Sequence, residues 1–572
     1  MIERTAILHT PLSEYAFTSS ETNLTIRLRC AKGNLLQCTL YYGDRVQPSE
    51  PIKFTPLPMQ QIAEDLYFDY YEVSFESPFS RVCYYFSLSD GEEVLYLYAG
   101  LLESELPLER SEFYQYPFLR REEISDVPDW FKHAVVYNIF PDSFATGKRF
   151  LRKTPEHLPM SNGRILHSRN GGTIRGITEN LDYIADLGFN CLYLNPIFTA
   201  EEYHRYDLLD YFHISPNLGT DEDFRNLVAE VHRRGMHIII DGVFNHCSWY
   251  FFAFDDVVQN GEASRYRDWF YALKFPVVRP EEGAAPEYAS FAYEPKMPKL
   301  NSSNPEVQAY FMEVCAHWLR EFDVDGWRLD VANEVDKDFW RMFRQTAKRV
   351  KPESVMIGEI WESAERWLQG DMFDSAMNYD FRKNCRDFFA LNKLNARQFN
   401  ARITQMLMRY PTGIVQGQLN LLDSHDVNRF LYLCEGDLEK FRLAMLFLFC
   451  MPGVPSVFYG DELGVCGGDE FSLRGPMPWD APASDERVFF RQLTALRNLK
   501  VTTLGTFRTR EARDTGLYIF ERAYENSVLL VALNTADTAV QIPSEIDAFP
   551  TRFSFRYSEK QLGAHGYAVW LL

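Results

Sequence analysis

No stretch of this chain is apolar for long enough to read as a bilayer span. The most apolar segment, Leu443 to Phe458, is broken by Pro452, Gly453 and Pro455. It falls short of the roughly 20 residues that a spanning helix needs, and reads as buried helix, turn and strand. The N-terminal residues Met1-Ile2-Glu3-Arg4-Thr5 lack the basic-then-apolar order of a secretory signal. No membrane partner is expected. Cys-x-x-Cys pairs are also missing: the ten cysteines are scattered without a regular framework. That argues against a disulfide framework, and for unpaired core or surface thiols in a reducing cytoplasm. A basic surplus is absent too. With 59 Lys and Arg against 80 Asp and Glu, the formal charge is −21, which excludes a nucleic-acid partner held through its phosphates. Internal repeats and low-complexity tracts are not evident.

Aromatic residues, in contrast, are abundant: 32 Tyr, 45 Phe and 10 Trp make up 15% of the chain. Large cores account for most of them, and the remainder suits a cleft that stacks on sugar rings. At 572 residues the chain exceeds one ordinary domain, so several units are expected. Residues 1–123 carry short alternating runs such as Leu24–Leu28, Cys38–Tyr42, Tyr70–Phe75, Val82–Phe86 and Val94–Tyr98, the pattern of an antiparallel β-sandwich. A connecting stretch around Ser125-Asp126-Val127-Pro128-Asp129 leads into a different pattern. From Val135, apolar strands alternate with helical segments, which predicts an α/β fold with a (β/α)8 TIM barrel over 124–500. Its strands are placed at Val135–Phe140, Cys191–Leu194, His237–Asp241, Gly326–Asp330, Val355–Glu359, Ser375–Asn378, Leu419–Leu422 and Ser456–Tyr459. The interval from about 247 to 299 is too long for a simple loop and reads as an inserted subdomain after strand three. Short strands return over 501–572 as a C-terminal β domain.

Three carboxylates stand where buried parallel strands open into loops: Asp330 in Gly326-Trp327-Arg328-Leu329-Asp330, Glu359 in Ile357-Gly358-Glu359-Ile360-Trp361, and Asp426 in Leu422-Asp423-Ser424-His425-Asp426. In a β/α barrel such strand ends converge on one face. Carboxylates delivered there by separate strands suit glycoside hydrolysis, where one attacks the sugar and another protonates the leaving oxygen.

Asp241-Gly242-Val243-Phe244-Asn245-His246, Gly326–Glu334, Gly358-Glu359-Ile360-Trp361 and Ser424-His425-Asp426 appear in that order. They resemble the four signature blocks of the α-amylase superfamily. Met297-Pro298-Lys299-Leu300-Asn301 and Val331-Ala332-Asn333-Glu334 narrow the resemblance to the neopullulanase, cyclomaltodextrinase and maltogenic amylase group. The resemblance implies Asp330 as nucleophile, kept ionised with the help of Arg328, Glu359 as general acid/base, and Asp426 as the carboxylate that holds sugar hydroxyls in a retaining double displacement. It also implies that His246 and His425 bind hydroxyls at the cleavage site and that Tyr206 stacks on the reacting ring. By the same resemblance, Asp241 and Asn245 are expected to orient their neighbours. Asn333, Glu334 and Trp361 resemble acceptor-side residues that bear on linkage choice and the identity of the acceptor. Arg474 resembles the arginine of a donor-side acid–arginine pair, with Glu470 or Asp469 as its partner. Phe291 and Tyr293 of the insert are expected to wall the acceptor side.

The chain departs from the family pattern at the loop that holds calcium in many relatives. It reads Ser143-Phe144-Ala145-Thr146-Gly147-Lys148-Arg149-Phe150, and the Gly-Gly pair is followed by Thr173. Calcium wants six to eight oxygens, several of them carboxylate. Lys148 and Arg149 put positive charge there instead, so the site is expected to be lost and no cofactor is predicted. Leu208 stands where relatives usually have Thr, which bears on substrate preference. The expected activity is hydrolysis of α-1,4 bonds in cyclodextrins, maltooligosaccharides and pullulan, with transglycosylation and a homodimeric assembly as family traits. An α-1,6-glucosidase or glucanotransferase on the same barrel, and a non-catalytic binding protein, are the alternatives.

Overall fold

The computed structural model describes all residues except 49, 108, 122–123, 125–126, 150–156, 160–164, 282, 483–484 and 547–549. Ser125 and Asp126 of the connecting stretch, and Phe150 at the end of the family's calcium loop, therefore lie outside the described residues. The chain divides into two compact units, one of residues 128–382 and 418–499, the other of 1–127, 383–417 and 500–572.

The first unit holds a closed barrel of eight parallel strands. In chain order they are Val136–Ile139, Cys191–Leu194, His237–Gly242, Gly326–Leu329, Val355–Gly358, Ser375–Asn378, Leu419–Leu421 and Val454–Phe458. Every expected strand is present, the last shifted two residues toward the N-terminus. These segments are apolar almost throughout because a parallel barrel strand is covered on both faces. Inside, Val136, Tyr193, Ile239, Val355, Ile357, Met377, Leu419 and Val454 belong to one buried cluster. Register is tight at the fourth strand, where a Cβ on Gly326 would sit 2.5 Å from the Val355 carbonyl oxygen. The return helices start on side-chain caps, which satisfy amides that the first helical turn leaves unpaired. Thr220 and Asp223 cap Asp221–Arg233 reciprocally, Asn304 caps Pro305–Glu321, and Asp336 caps Lys337–Val350.

The insert after the third strand contains a helix, Phe252–Asn260, and three 3-10 turns. It returns beside its point of departure, because His246 bridges Lys299 and Phe270 bridges Leu300. Trp249, Phe254, Phe270 and Tyr288 form its aromatic interior.

In the other unit, two antiparallel sheets form the N-terminal sandwich. One pairs Ala16–Thr18, Asn23–Ala31, Phe68–Glu76 and Gln60–Glu64; the other is built on Gln37–Asp44, Val82–Ser89 and Val94–Tyr98. Alternate residues Leu24, Ile26, Leu28, Tyr84, Phe86 and Leu88 fill the space between them. A six-stranded antiparallel sheet from Thr506 to Leu571 forms the C-terminal domain. The helix Ala396–Met408 belongs with these β domains. Gln405 donates to Asp65 at 3.1 Å, and Phe399 packs edge-on against Tyr518 with ring centres 5.4 Å apart. Chain-order boundaries at 123 and 500 do not separate this segment, since it lies between two barrel strands.

Candidate active site

The guanidinium of Arg328 organises the C-terminal end of the barrel. It projects from the fourth strand and is fully buried. Its Nη1 lies 2.9 Å from Asp241 and 2.8 Å from Asp330, and its Nη2 lies 2.8 Å from Glu359. The same Nη2 is 3.9 Å from Asp426. One cation thus faces four carboxyl groups from four strand ends, an arrangement that a planar, forked guanidinium can serve and a point charge cannot.

Each carboxyl then has a distinct setting. Asp426 accepts from His425 Nε2 at 2.7 Å and faces Arg474 Nη2 at 3.4 Å. Burial pushes its pKa up, but the His425 charge and hydrogen bond, with Arg328 and Arg474, outweigh that and hold it at about 2. Asp330 is pushed the other way. Burial, then the Glu359 charge, raises it well above the carboxylate range against the pull of Arg328. The expectation that Arg328 keeps Asp330 ionised thus captures one of two opposing effects. Burial and the neighbouring Glu359 charge favour the neutral form of Asp330, and Arg328 opposes them.

Glu359 is oriented by the backbone. Immediately after Asp330, Val331 adopts a left-handed conformation, φ 44° and ψ 44°, which a β-branched residue rarely takes. That turn aims its amide at Glu359 Oε2, 2.9 Å away. The other oxygen, Oε1, accepts from the Trp361 indole at 3.2 Å. Trp361 is held flat on Tyr379, ring centres 4.1 Å apart, and remains half exposed as a shelf.

A hydrogen-bonded set of rings lies beside the carboxylates. Tyr206 OH donates to Asp241 at 3.0 Å and meets His425 Nε2 at 2.5 Å, with its ring parallel to the imidazole. Asn195 reaches His425 Nδ1 at 2.9 Å, and Tyr193 donates to Asp241 at 2.7 Å. His246 is buried, stacked on Phe291 of the insert, and its Nε2 has no hydrogen-bond partner among the described residues. Burial, then the Lys299 charge, lowers it to about 3, so the ring stays neutral and its free nitrogen can meet a hydroxyl.

Asn245 is bonded by Lys299 Nζ, which also lies 3.2 Å from Glu334. Asn333 sits farther out, its amide 3.4 Å from Glu362. On the opposite side, Arg474 donates to the His425 carbonyl at 2.9 Å and pairs with Glu470 at 3.2 Å. Asp469, the other candidate partner, caps the short helix Glu470–Leu473 and bonds Ser472. All seventeen residues singled out from sequence belong to this one unit, and among the described residues all but Asn333, Asp469 and Tyr293 bond or stack with another member or its direct partner.

Tyr203, Lys299, Asn195 and Tyr379 join the cleft without having been singled out. Tyr203 bridges Glu470 and Arg474 through its hydroxyl, at 3.1 and 3.3 Å. Lys299 stands inside the motif stretch Met297–Asn301, and that position was its only signal.

The loop that holds calcium in many relatives does not fit the ion here. Thr146 Oγ1 donates to the Gly171 carbonyl at 2.9 Å, and Thr173 Oγ1 donates to the Thr146 carbonyl at 2.8 Å. Asp142 is saturated by Ser168 and by the amides of Arg169 and Asn170. The side-chain oxygens of this loop bond within the protein, and Lys148 and Arg149 follow them where carboxylates would be needed.

Comparison with known proteins agrees with this geometry. Residues 138–488 match the model for the alpha amylase catalytic domain, and residues 1–120 match the alpha amylase N-terminal ig-like domain. Neopullulanase 2 of Thermoactinomyces vulgaris is 41% identical over 540 residues, covering 92% of this chain and 90% of that protein. A cyclomaltodextrinase of Geobacillus thermopakistaniensis is 37% identical over 553 residues, covering 96% and 94%. Among solved structures, a cyclomaltodextrinase superposes with a TM-score of 0.89 at 32% identity, covering all of both chains.

Proposed function

The chain belongs to the α-amylase family, as a glycoside hydrolase similar to cyclomaltodextrinases and neopullulanases, and from that premise we propose that it cleaves α-1,4 bonds of small α-glucans with retention of configuration. Cyclodextrins and maltooligosaccharides are the leading substrates, pullulan a further one. The observation that carries this reading is the single buried guanidinium 2.8 Å from both Asp330 and Glu359. It supports a pair close enough for double displacement, for which the carboxyls stand about 5–5.5 Å apart.

In the first step the Asp330 carboxylate attacks the anomeric carbon. The bond to the leaving oxygen breaks as Glu359 transfers its proton to that oxygen. Ionised Glu359 then takes a proton from water, whose oxygen displaces Asp330 and restores both groups. This step requires a proton on Glu359 and an ionised Asp330 when substrate is bound. Arg328 on Asp330, and the Val331 amide and Trp361 indole on Glu359, set the pair's orientation. Asp426, His425 and the unpartnered His246 nitrogen bind hydroxyls of the reacting glucose, with Tyr206 against its ring. Trp361, Asn333 and Glu334 border the acceptor side, and Glu470, Tyr203 and Arg474 border the donor side. A homodimer acting in the cytoplasm completes the proposal; all ten cysteines are free thiols and nine are buried. No helix among the described residues is long and apolar enough to cross a membrane.

Proton NMR of the first anomer released from maltotriose tests the mechanism. We expect the α-anomer first, and a loss of about 100-fold or more in kcat for Glu359→Gln. A β-anomer, or an active Glu359→Gln enzyme, would refute it.

A further inference from the structure

A second cavity, of about 340 Å³, shares no lining residue with the carboxylate cluster. Lys148, Arg149, Arg487 and Arg491 line it around Tyr183. Four cations gathered on a molecule of net charge −21 need an explanation. The lining carboxylates do not supply it: Glu179 is paired with Arg175 at 2.6 Å and Asp182 with Arg234 at 2.8 Å. Asp186 is the one lining carboxylate without an ion pair among the described residues, and it offers its backbone carbonyl to Arg491 at 3.1 Å.

The arginines are instead held by rings. Arg487 and Arg149 lie over Tyr183, 5.1 and 5.7 Å from its centre, and Arg149 also lies 5.9 Å from the centre of Trp479. Both rings are anchored, Tyr183 by donating to Glu462 at 2.8 Å and Trp479 by donating to the Phe144 carbonyl at 2.6 Å. Arg149 reaches this position from a left-handed backbone, φ 65°, a conformation uncommon outside glycine and asparagine. A guanidinium beside a ring in place of a carboxylate has N–H groups to offer a ligand, and their fork matches phosphate oxygens in pairs.

We propose that this cavity binds a phosphate monoester of a small sugar. Such a group carries a charge of about −1.5 to −2 near neutral pH, which relieves the repulsion among the four cations. The volume lies at the lower end of small-ligand sites, roughly 300–1,000 Å³, with room for a sugar ring beside the phosphate. The Asp186 carboxylate is available to its hydroxyls.

Calorimetric titration of the full chain at low ionic strength tests this, using glucose 6-phosphate, inorganic phosphate and glucose in turn. Glucose 6-phosphate is expected to bind, glucose is not, and Arg149→Gln/Arg487→Gln is expected to weaken binding at least tenfold. Lys148→Glu, a charge reversal at an exposed side chain, gives an independent reading and should weaken it at least threefold. Both variants should keep their activity on maltotriose, since none of these residues touches the carboxylate cluster. Inorganic phosphate binding as tightly as the sugar phosphate would support the phosphate cradle and remove the sugar from the assignment. No binding by the unmodified chain, or equal affinity in the folded variants, would overturn the proposal.

Discussion

At the scale of single residues, the chemistry turns on one cation divided among carboxyls that differ in their other partners. Asp426 has His425 and Arg474 and is held near 2; Asp330 has Arg328 alone against burial and Glu359. Replacing Arg328 by Lys keeps the charge but loses the fork, so Asp330 and Glu359 can no longer both be contacted. Less cationic stabilisation raises the Asp330 pKa further, and Asp330 must be ionised to act as the proposed nucleophile. The acidic limb of the kcat/KM profile for Arg328→Lys should therefore move to higher pH, with a drop of about 100-fold or more at the optimum. An unmoved limb would place Arg328 outside the titration. These identities were legible in the sequence, because Arg328, Asp330, Glu359, His425 and Asp426 lie in short ordered motifs. The opposing push on Asp330 was not legible, because burial and the Glu359 field arise only when separate strands converge. Nor was the role of Val331, which follows from a backbone angle that no residue type announces.

At the scale of elements, the strand start before Gly326 and the first loop make separate predictions. Asp325, buried, accepts from His232 Nε2 at 2.9 Å and Lys351 at 2.8 Å. The hydrogen bond to Asp325 raises the His232 pKa against the opposing effect of burial, while His232, His237 and Lys351 depress Asp325 against its own burial. The His232 contribution is fully present below its unfolded value of 6.5 and is lost as pH rises through its higher folded value. On the acid side it holds until pH falls through the depressed pKa of Asp325. His232→Gln should lower thermal stability at pH 6 by the equivalent of about 1 kcal/mol and by much less at pH 9; melting curves across pH would check this, and an equal loss at both would contradict it. In the first loop, Lys148 and Arg149 stand where calcium would need carboxylates, and the Thr146 and Thr173 hydroxyls bond within the protein. Treatment with a chelator should leave both melting temperature and activity unchanged, and rescue by calcium after inactivation would contradict that reading. The eight strands were legible as apolar runs ending in polar residues. The helix Ala396–Met408 illustrates the limit: its position in the chain says barrel, whereas Gln405 and Phe399 pack with the β domains, a choice made by tertiary contact.

At the scale of the whole molecule, the order of sandwich, barrel with insert, and C-terminal β domain was readable from changes in hydrophobic period. The cleft's walls were less so, since Phe291 reaches His246 only through the return of the insert. The preference proposed above, for short or cyclic glucans over long chains, is a property of the whole cleft. The most direct test is initial rates on β-cyclodextrin, maltotriose, pullulan and soluble starch at equal glucose-equivalent concentration. The account predicts rapid cleavage of cyclodextrin and maltotriose, with starch slower by about tenfold or more. Starch cleaved as fast as cyclodextrin, or no turnover of any of the four, would contradict it.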